Sequence, residues 1–557
     1  MGVYLGPWLN CRGGGAHLLM DSGIYEANAL IVDDSQTSRS VLAAQLRDLG
    51  VKDVRQVLHP REARAVLENK TFDIVLCGGT VNSGEMTNQD LLDDLRREQL
   101  LPYSTVFVMI TTEATYARVT EAAEAALDAY LVRPYTAAAL AERLAQARFR
   151  KKILRDIFEA IEKRDYETAA DLCLQRFNAR GQFWLYAARI GAELLLRLNR
   201  PNDARALYDA IIAARTVPWA RLGVARAELA SGNPTAARRT LEALIGDLPD
   251  YADSYDVMGH VLLEQAEIGE ALNNYRRAAS LTPGCLARLQ RCGALAYYAG
   301  ERGEALRLLE RAMSLGLRSK MFDLMSLVLV GFMRYDNKDG RGLRNAHEAM
   351  ITELEQAPKS RRLERFELVF RALRSMAERK MDEGLELARW LAIELQQGDF
   401  DLEAAGILLA LWMRLGGAEI KGEEVDAVVT RAGLRFCTSK SSTEVLVTLC
   451  ENRENAVNEL RACHTRIFGV AETAMRHSMR GTARVGVELL IQQGEATRNA
   501  KLIDMAGLVL KRQAEKIEDA TELAGKIASL QERFVSPMGM NPSYRVHERA
   551  VGGIALP

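Results

Sequence analysis

Phe72-Asp73-Ile74-Val75-Leu76-Cys77-Gly78-Gly79 is the stretch that decides the fold. FDIVLC is an apolar run too short for a helix, and it fits a strand buried on both faces. Similar runs flank it. Ala29-Leu30-Ile31-Val32 precedes the acidic pair Asp33-Asp34, and Thr105-Val106-Phe107-Val108-Met109-Ile110 precedes Thr111. A fourth run, Ala129-Tyr130-Leu131-Val132, ends at Arg133-Pro134. Helical patterns over Ser38–Leu49 and Glu113–Ala126 separate them. Strands alternating with helices predict an α/β domain with a parallel, doubly wound sheet. In such sheets the site lies outside the carboxyl ends of the strands. Asp33, Asp34, Gly78, Thr111 and Arg133 all follow strand ends, so they should meet there.

Residues 27–148 resemble the receiver domains of bacterial two-component response regulators, because the motifs fall in that family's order. IVDDSQTSR matches the first strand with its metal-binding acidic pair, here Asp33 and Asp34. VMITTEAT matches the fourth strand with its switch hydroxyl, here Thr111. YLVRPYT matches the fifth, with Tyr130 at the aromatic switch position and Arg133 before Pro134 where the family has Lys-Pro. The resemblance implies a flavodoxin-like fold and an often cis peptide before that proline. It also implies a phosphoacceptor Asp at the end of the third strand, where this chain has Gly78.

Phosphoryl capture needs a carboxylate nucleophile beside Mg²⁺. Gly78 has no side chain, and the nearest acids, Asp73, Glu85 and Asp90, cannot reach the strand end without a register shift that would turn the buried faces over. Arg133 replaces a compact ammonium by a planar fork, which is not a conservative change at a phosphate site. With one of three carboxylate ligands gone, Asp33 and Asp34 should form at most a weak Mg²⁺ site, and no other cofactor is expected. The chain shows no phosphate-binding glycine loop, no Ser-His-Asp set and no metal cluster, so it does not read as an enzyme.

The remaining chain is long and electrically balanced. Its 557 residues carry 73 Lys and Arg against 74 Asp and Glu, which gives no global case for nucleic acid or membrane. The eight Cys lack CxxC spacing and sit inside apolar patterns, which points to buried thiols in a reducing cytoplasm. His260 beside Gly259 reads as a packing residue. No signal peptide and no apolar run of transmembrane length is visible. Residues 1–19 read as an over-extended start, since Met20 opens a natural beginning.

From about residue 151 the texture becomes Ala- and Leu-rich. Ala170, Ala204, Ala237, Ala271 and Ala305 recur at spacings of 34, 33, 34 and 34. The region resembles tetratricopeptide repeats. In the best unit Gly259, Ala271, Tyr275, Ala278 and Pro283 hold the marked positions, and the next repeats them as Gly293, Ala305, Leu309 and Ala312. Small residues let the two helices of a pair approach, the aromatic or Leu fills space against the next repeat, and Pro ends the second helix. Gly223 lies 14 residues before Ala237 where its neighbours show 12, which predicts a longer inter-helix turn there. Beyond about 318 the phase fades. Met381–Ala388 still reads as a repeat's second helix, Asn337–Gly340 as a loop and Pro358–Arg362 as a basic turn.

The expected organisation is an N-terminal extension without order (1–26), a receiver-like domain (27–148), tetratricopeptide repeats (149–318), further helical repeats of that kind (319–420), a C-terminal helical region (421–535) and a flexible tail (536–557). The basic run Arg148–Asp156 reads as the solvated face of a linking helix rather than a nucleic-acid contact. A final helix over Thr497–Phe534 carries a seam of Ile503, Leu510, Ile517 and Ala524 with Ala506, Gln513, Ala520, Ile527 and Phe534. Two readings are open for it, a homodimeric coiled coil and a solenoid cap, and the stripe's width at Leu508, Val509 and Leu523 favours the cap. The composite reading is a signalling adaptor whose receiver face and concave repeat groove bind proteins. The alternatives are a phosphorylation-switched regulator with the repeats as output, or a nucleic-acid-binding output through residues 148–155 and 359–365.

Overall fold

The computed structural model describes residues 22–78, 101–102, 104–112, 128–283, 285–317, 322–415, 422–450 and 452–535. The helical pattern over 113–126, Glu85, Asp90, Gly416-Gly417, the segment 1–19 and the tail 536–557 lie outside these residues. The first described residue, Ser22, lies inside the segment read as an extension. Ser22–Tyr25 form a turn of 3-10 helix, and the Tyr25 ring stands 2.5 Å from where a Cβ on Gly50 would be.

The first domain is a five-stranded parallel sheet of order β2-β1-β3-β4-β5, as the alternation predicted. Its strands are β1 (Asn28–Val32), β2 (Asp53–Val57), β3 (Ile74–Cys77), β4 (Val106–Thr111) and β5 (Ala129–Val132). All four residues of β3 are buried because both faces are covered. The period of two sorts the side chains between two cores. Ile31, Ile74, Leu76 and Val108 pack under α1 (Gln36–Asp48) and α3 (Ala137–Ile153). Leu30, Val75, Cys77 and Phe107 pack on the other side with Ala63 and Val66 of α2 (Pro60–Leu67).

α3 runs into α4 (Arg155–Glu162) with only Leu154 between them. The basic run here is solvated only in part, at Lys152 and Arg155. Lys151 is buried with its Nζ 2.9 Å from Asp128, and Arg150 contacts the same carboxylate at 3.3 Å and stacks over Tyr186. Residues 359–365 are likewise committed. Arg362 bridges Asp323 (2.8 Å) and Glu403 (2.6 Å), and Arg365 bridges Glu394 (3.2 Å) and Asp399 (2.9 Å).

The tetratricopeptide-like solenoid is built of helix pairs: α4 with α5 (Tyr166–Asn178), α6 (Trp184–Arg197) with α7 (Pro201–Ala214), α8 (Pro218–Ala230) with α9 (Pro234–Asp247) and α10 (Ala252–Glu264) with α11 (Ile268–Leu281). Three more follow: α12 (Leu286–Tyr298) with α13 (Arg302–Gly316), α14 (Met325–Asp336) with α15 (Gly340–Gln356) and α16 (Arg361–Ala377) with α17 (Met381–Glu394). Every pair turns through three residues whose middle member has positive φ: Arg164, Asn199, Gly232, Ala266, Gly300, Lys338 and Arg379. At each turn that residue's N–H bonds back three residues and the next N–H bonds back five, as Ala266 N to Leu263 O (2.8 Å) and Glu267 N to Leu262 O (2.8 Å) do. This pairing satisfies the carbonyls at the end of the first helix. The phase fades beyond 318 because helices lengthen, α15 and α16 to 17 residues each, while the turn is kept.

Two of the packing marks sit differently in the structure. Ala271, Ala278 and Ala305 are fully buried, and Pro283 lies two residues past α11. A Cβ on Gly259 would fall 2.7 Å from the Tyr275 ring, and one on Gly293 2.6 Å from Leu309. Tyr275 and Leu309 therefore fill space within their own pairs, not against the next repeat. The second correction is Gly223. The α8–α9 turn is three residues like the others, and the position 12 before Ala237 is the buried Ala225. Gly223 instead makes room for Tyr208 of the preceding helix, 2.3 Å from its would-be Cβ.

Beyond the pairs come α18 (Leu402–Leu415), α19 (Gly422–Phe436), α20 (Lys440–Leu449) and α21 (Glu454–Met479). The single helix expected over Thr497–Phe534 is three elements. α22 (Ala483–Thr497) ends at Arg498 with φ 55°, and Asn499 caps α23 (Ala500–Gln513). A turn through Ile517 then folds α24 (Ala520–Phe534) back onto α23. Ile503, Ala506, Leu510, Ile517 and Ile527 are buried in one cluster with Ile467, Val487 and Leu490. Leu508 and Ala524 of the stripe stay exposed, and the break at 514–519 leaves no continuous five-heptad seam.

Two measurements follow from this packing. Gly300→Ala should lower the solenoid's stability by about 1 kcal/mol and Ala266→Gly raise it by about 0.5 kcal/mol, since a Cβ is strained at positive φ; urea midpoints read both signs. Leu510→Asp should cost at least about 3 kcal/mol in thermal unfolding and leave the sedimentation coefficient of the native chain unchanged, where a coiled-coil dimer would dissociate.

Candidate functional site

The carboxyl ends of β1, β3, β4 and β5 meet as the sequence predicted. Asp33 follows β1 with a fully buried carboxylate. Its Oδ1 accepts from Ser35 N at 2.9 Å, and its Oδ2 accepts from Ser38 Oγ at 2.7 Å and from Arg133 Nη2 at 2.6 Å. The same Nη2 lies 2.5 Å from Ser38 Oγ. Arg39, buried on α1, donates to the carbonyls of Asp33 (2.6 Å) and Asp34 (3.2 Å) and fixes the loop from below. Arg133 is placed at the site by its own N–H, which continues the β4–β5 ladder to Thr111 O at 2.7 Å; its peptide to Pro134 is cis.

Gly78 is the void that this arrangement fills. Its N–H bonds Val32 O at 2.7 Å, so the backbone stands beside Asp33 in the register of β1 and β3. A Cβ on Gly78 would fall 2.3 Å from Asp33 Oδ2 and 2.9 Å from Arg133 Nη2. Where a phosphoacceptor side chain would emerge, there is an ion pair. Arg133 is a quarter exposed on its outer side, where Tyr135, half-buried, hydrogen-bonds it. Burial, more than any neighbouring charge, pushes the Tyr135 hydroxyl's pKa up. Burial and then Asp33 push the Cys77 thiol far above its ordinary range, so it offers no nucleophile.

Asp34 is exposed, Thr111 is partly exposed at the end of β4, and Tyr130 is half-buried on β5, the edge strand, opposite Met109. The structure thus brings Asp33, Gly78 and Arg133 together and sets Asp34, Thr111 and Tyr130 around them. Ser38 and Arg39 are the members that sequence reasoning missed; their signal was their place one helical turn after the acidic pair. The donor set does not fit a divalent cation. Asp33 already accepts three hydrogen bonds, one from a guanidinium, and among the described residues no cluster of three His, Cys, Asp or Glu side chains could hold a metal. Among them, too, no helix is long and apolar enough to cross a membrane.

Residues 29–145 match the response regulator receiver domain. Over 115 residues the chain is 37% identical to chemotaxis protein CheY-3 of Vibrio cholerae, covering 21% of this chain and 86% of that protein. The chain belongs to the response regulator receiver family. The receiver is also 35% identical to chemotaxis protein CheY of Pseudomonas aeruginosa over 115 residues, which cover 21% of this chain and 90% of that one. Among solved structures, the C-terminal part of a TPR repeat-containing protein from Cytophaga hutchinsonii overlaps 48% of this chain and 98% of its own at 13% identity, with a TM-score of 0.28.

A carboxylate restored at position 78 has no room beside the receiver's ion pair. Gly78→Asp should lower the receiver's melting temperature, at a cost of about 1–3 kcal/mol, and leave Mg²⁺ affinity low. Adding Arg133→Lys should recover part of the stability and raise Mg²⁺ affinity, read by calorimetric titration, because it frees Asp33 Oδ2.

Proposed function

We propose that this protein is a non-catalytic adaptor of two-component signalling, with a pseudo-receiver coupled to a protein-binding solenoid. One observation carries the reading: the Asp33–Arg133 pair and Ser38 occupy the space next to Gly78 from which a phosphoacceptor would act. The receiver keeps the family's sheet and its edge strand but holds a fixed cation where the family uses Mg²⁺ and a phosphoryl group. A receiver of this kind has one state, and it contributes a surface rather than a switch.

That surface is β5 with the half-buried Tyr130 and the neighbouring helices, offered to a protein partner. The solenoid is the second interaction module, in keeping with how stacked helix pairs bind. The seven described cysteines are buried, which supports a reducing, cytoplasmic setting. Nucleic acid is not the proposed partner, since Arg150, Lys151, Arg362 and Arg365 of the two basic runs are tied to carboxylates.

Incubation of the full chain with acetyl phosphate and Mg²⁺ tests the reading. No hydroxylamine-sensitive mass increase of one phosphoryl group should appear within 27–148; an adduct mapped there would overturn the pseudo-receiver.

A further inference from the structure

α20 is an excursion from the solenoid. α19 and α21, on either side of it in sequence, pack directly on each other, and a Cβ on Gly433 of α19 would fall 2.9 Å from Cys463 Sγ of α21. α20, ten of the seventeen residues between them, packs on α21, α19 and α18, and it also reaches the distant α10 and α12. The same space is spanned by Arg414 of α18, whose Nε donates to Asp336 Oδ1 of α14 at 2.7 Å and whose Nη2 lies 3.4 Å from Tyr297 Oη of α12. α10, α12 and α18 thus meet at α20.

The lining explains why something must be there. Eleven residues of α12 and eleven of α18 are buried, and residues 325–333 of α14 are buried without a break. Helices apolar on every side need cover on every side. Their second helices cover the outside, and Val445, Leu446, Val447 and Leu449 of α20 join the same cluster from the inside.

α20 also has the character of a bound peptide. At ten residues it is shorter than the roughly 12–15 needed for even marginal helix stability in water. Its N-terminus is closed by itself, through a reciprocal capping box of Ser439 and Ser442 with both bonds at 3.0 Å. Its one central charge, Glu444, is drawn to Arg461 at 3.3 Å on the α21 side, so the residues from 445 to 449 are uncharged.

We propose that the concave groove between α10 and α18 is a helix-binding site occupied in cis by α20, and that its ligand in trans is a short uncharged helix with a Ser or Thr cap and Val and Leu around its circumference. This rests on the reading of the solenoid as a protein-binding module. It excludes acidic or basic peptides from the central groove, because the buried walls would leave their charges without partners.

The test uses the full chain with residues 439–450 replaced by a Gly-Ser linker of equal length, and a fluorescent peptide of residues 438–450. The linker variant should bind the peptide saturably, and the unmodified chain at least about tenfold more weakly, because its groove is filled. A peptide carrying Leu446→Asp should not bind. A folded linker variant that ignores the peptide overturns the proposal. So does a linker variant whose solenoid loses its cooperative unfolding, since α20 would then be core rather than ligand. Hydrogen exchange on the unmodified chain gives an independent readout: α20 amides should exchange faster than those of α19 and α21, and equal protection across the three overturns the proposal. Each result is separate from the phosphorylation assay, which reads the other domain.

Discussion

The three-residue turn between paired helices is the constraint on which most of this chain depends. Its middle residue sits at positive φ in seven pairs, and its two backward hydrogen bonds fix where the second helix starts. Once the turn is fixed, the crossing point of each pair is fixed, and only small residues fit there. Gly259 under Tyr275 and Gly293 under Leu309 are consequences of that geometry. Five turns place a non-glycine residue in the left-handed region, so the tertiary packing they permit outweighs a local strain of about 1–2 kcal/mol at each.

Arginines set how consecutive pairs stack. Arg226 of α8 meets Glu193 of α6, Arg288 of α12 meets Asp253 (2.6 Å) and Asp256 (2.7 Å) of α10, and Arg362 of α16 joins Asp323 to Glu403 of α18. Each is a first helix reaching to another through a partly or wholly buried pair. Glu403 sits so deep that burial raises the pKa of its carboxyl in spite of Arg362. Removing one partner of such a pair is destabilising out of proportion to what the pair contributes, because the other charge is left buried. The receiver uses the same device at Asp33 and Arg133. There it fills the space beside Gly78.

Much of this was legible in the residues. The four apolar runs became β1, β3, β4 and β5, because a parallel strand covered on both faces has to be apolar throughout. The alanine spacing gave the repeat, because the helix crossing tolerates nothing larger. Gly78 announced a missing nucleophile, but not what stands in its place. That depends on the reach of Ser38 and Arg133 across a loop, which periodicity does not encode. The break of the last helix at 514–519 was invisible for a different reason: the segment Ala514–Asp519 contains neither Gly nor Pro, and the fold-back is driven by burial of Ile517. The filled groove did leave a trace in the all-round apolar character of residues 325–333 and 405–412, which only the position of α20 interprets.

The filling of that groove bears on how the chain is made. The apolar inner wall begins with α10 at residue 252, and the helix that covers it does not begin until residue 440. During vectorial synthesis at about 5–20 residues per second, the repeats stack from the N-terminus while their inner wall faces water for about 10–40 seconds. Solenoids otherwise tolerate growth repeat by repeat; this one acquires, from late in its own sequence, a closure that ends its exposure on the ribosome.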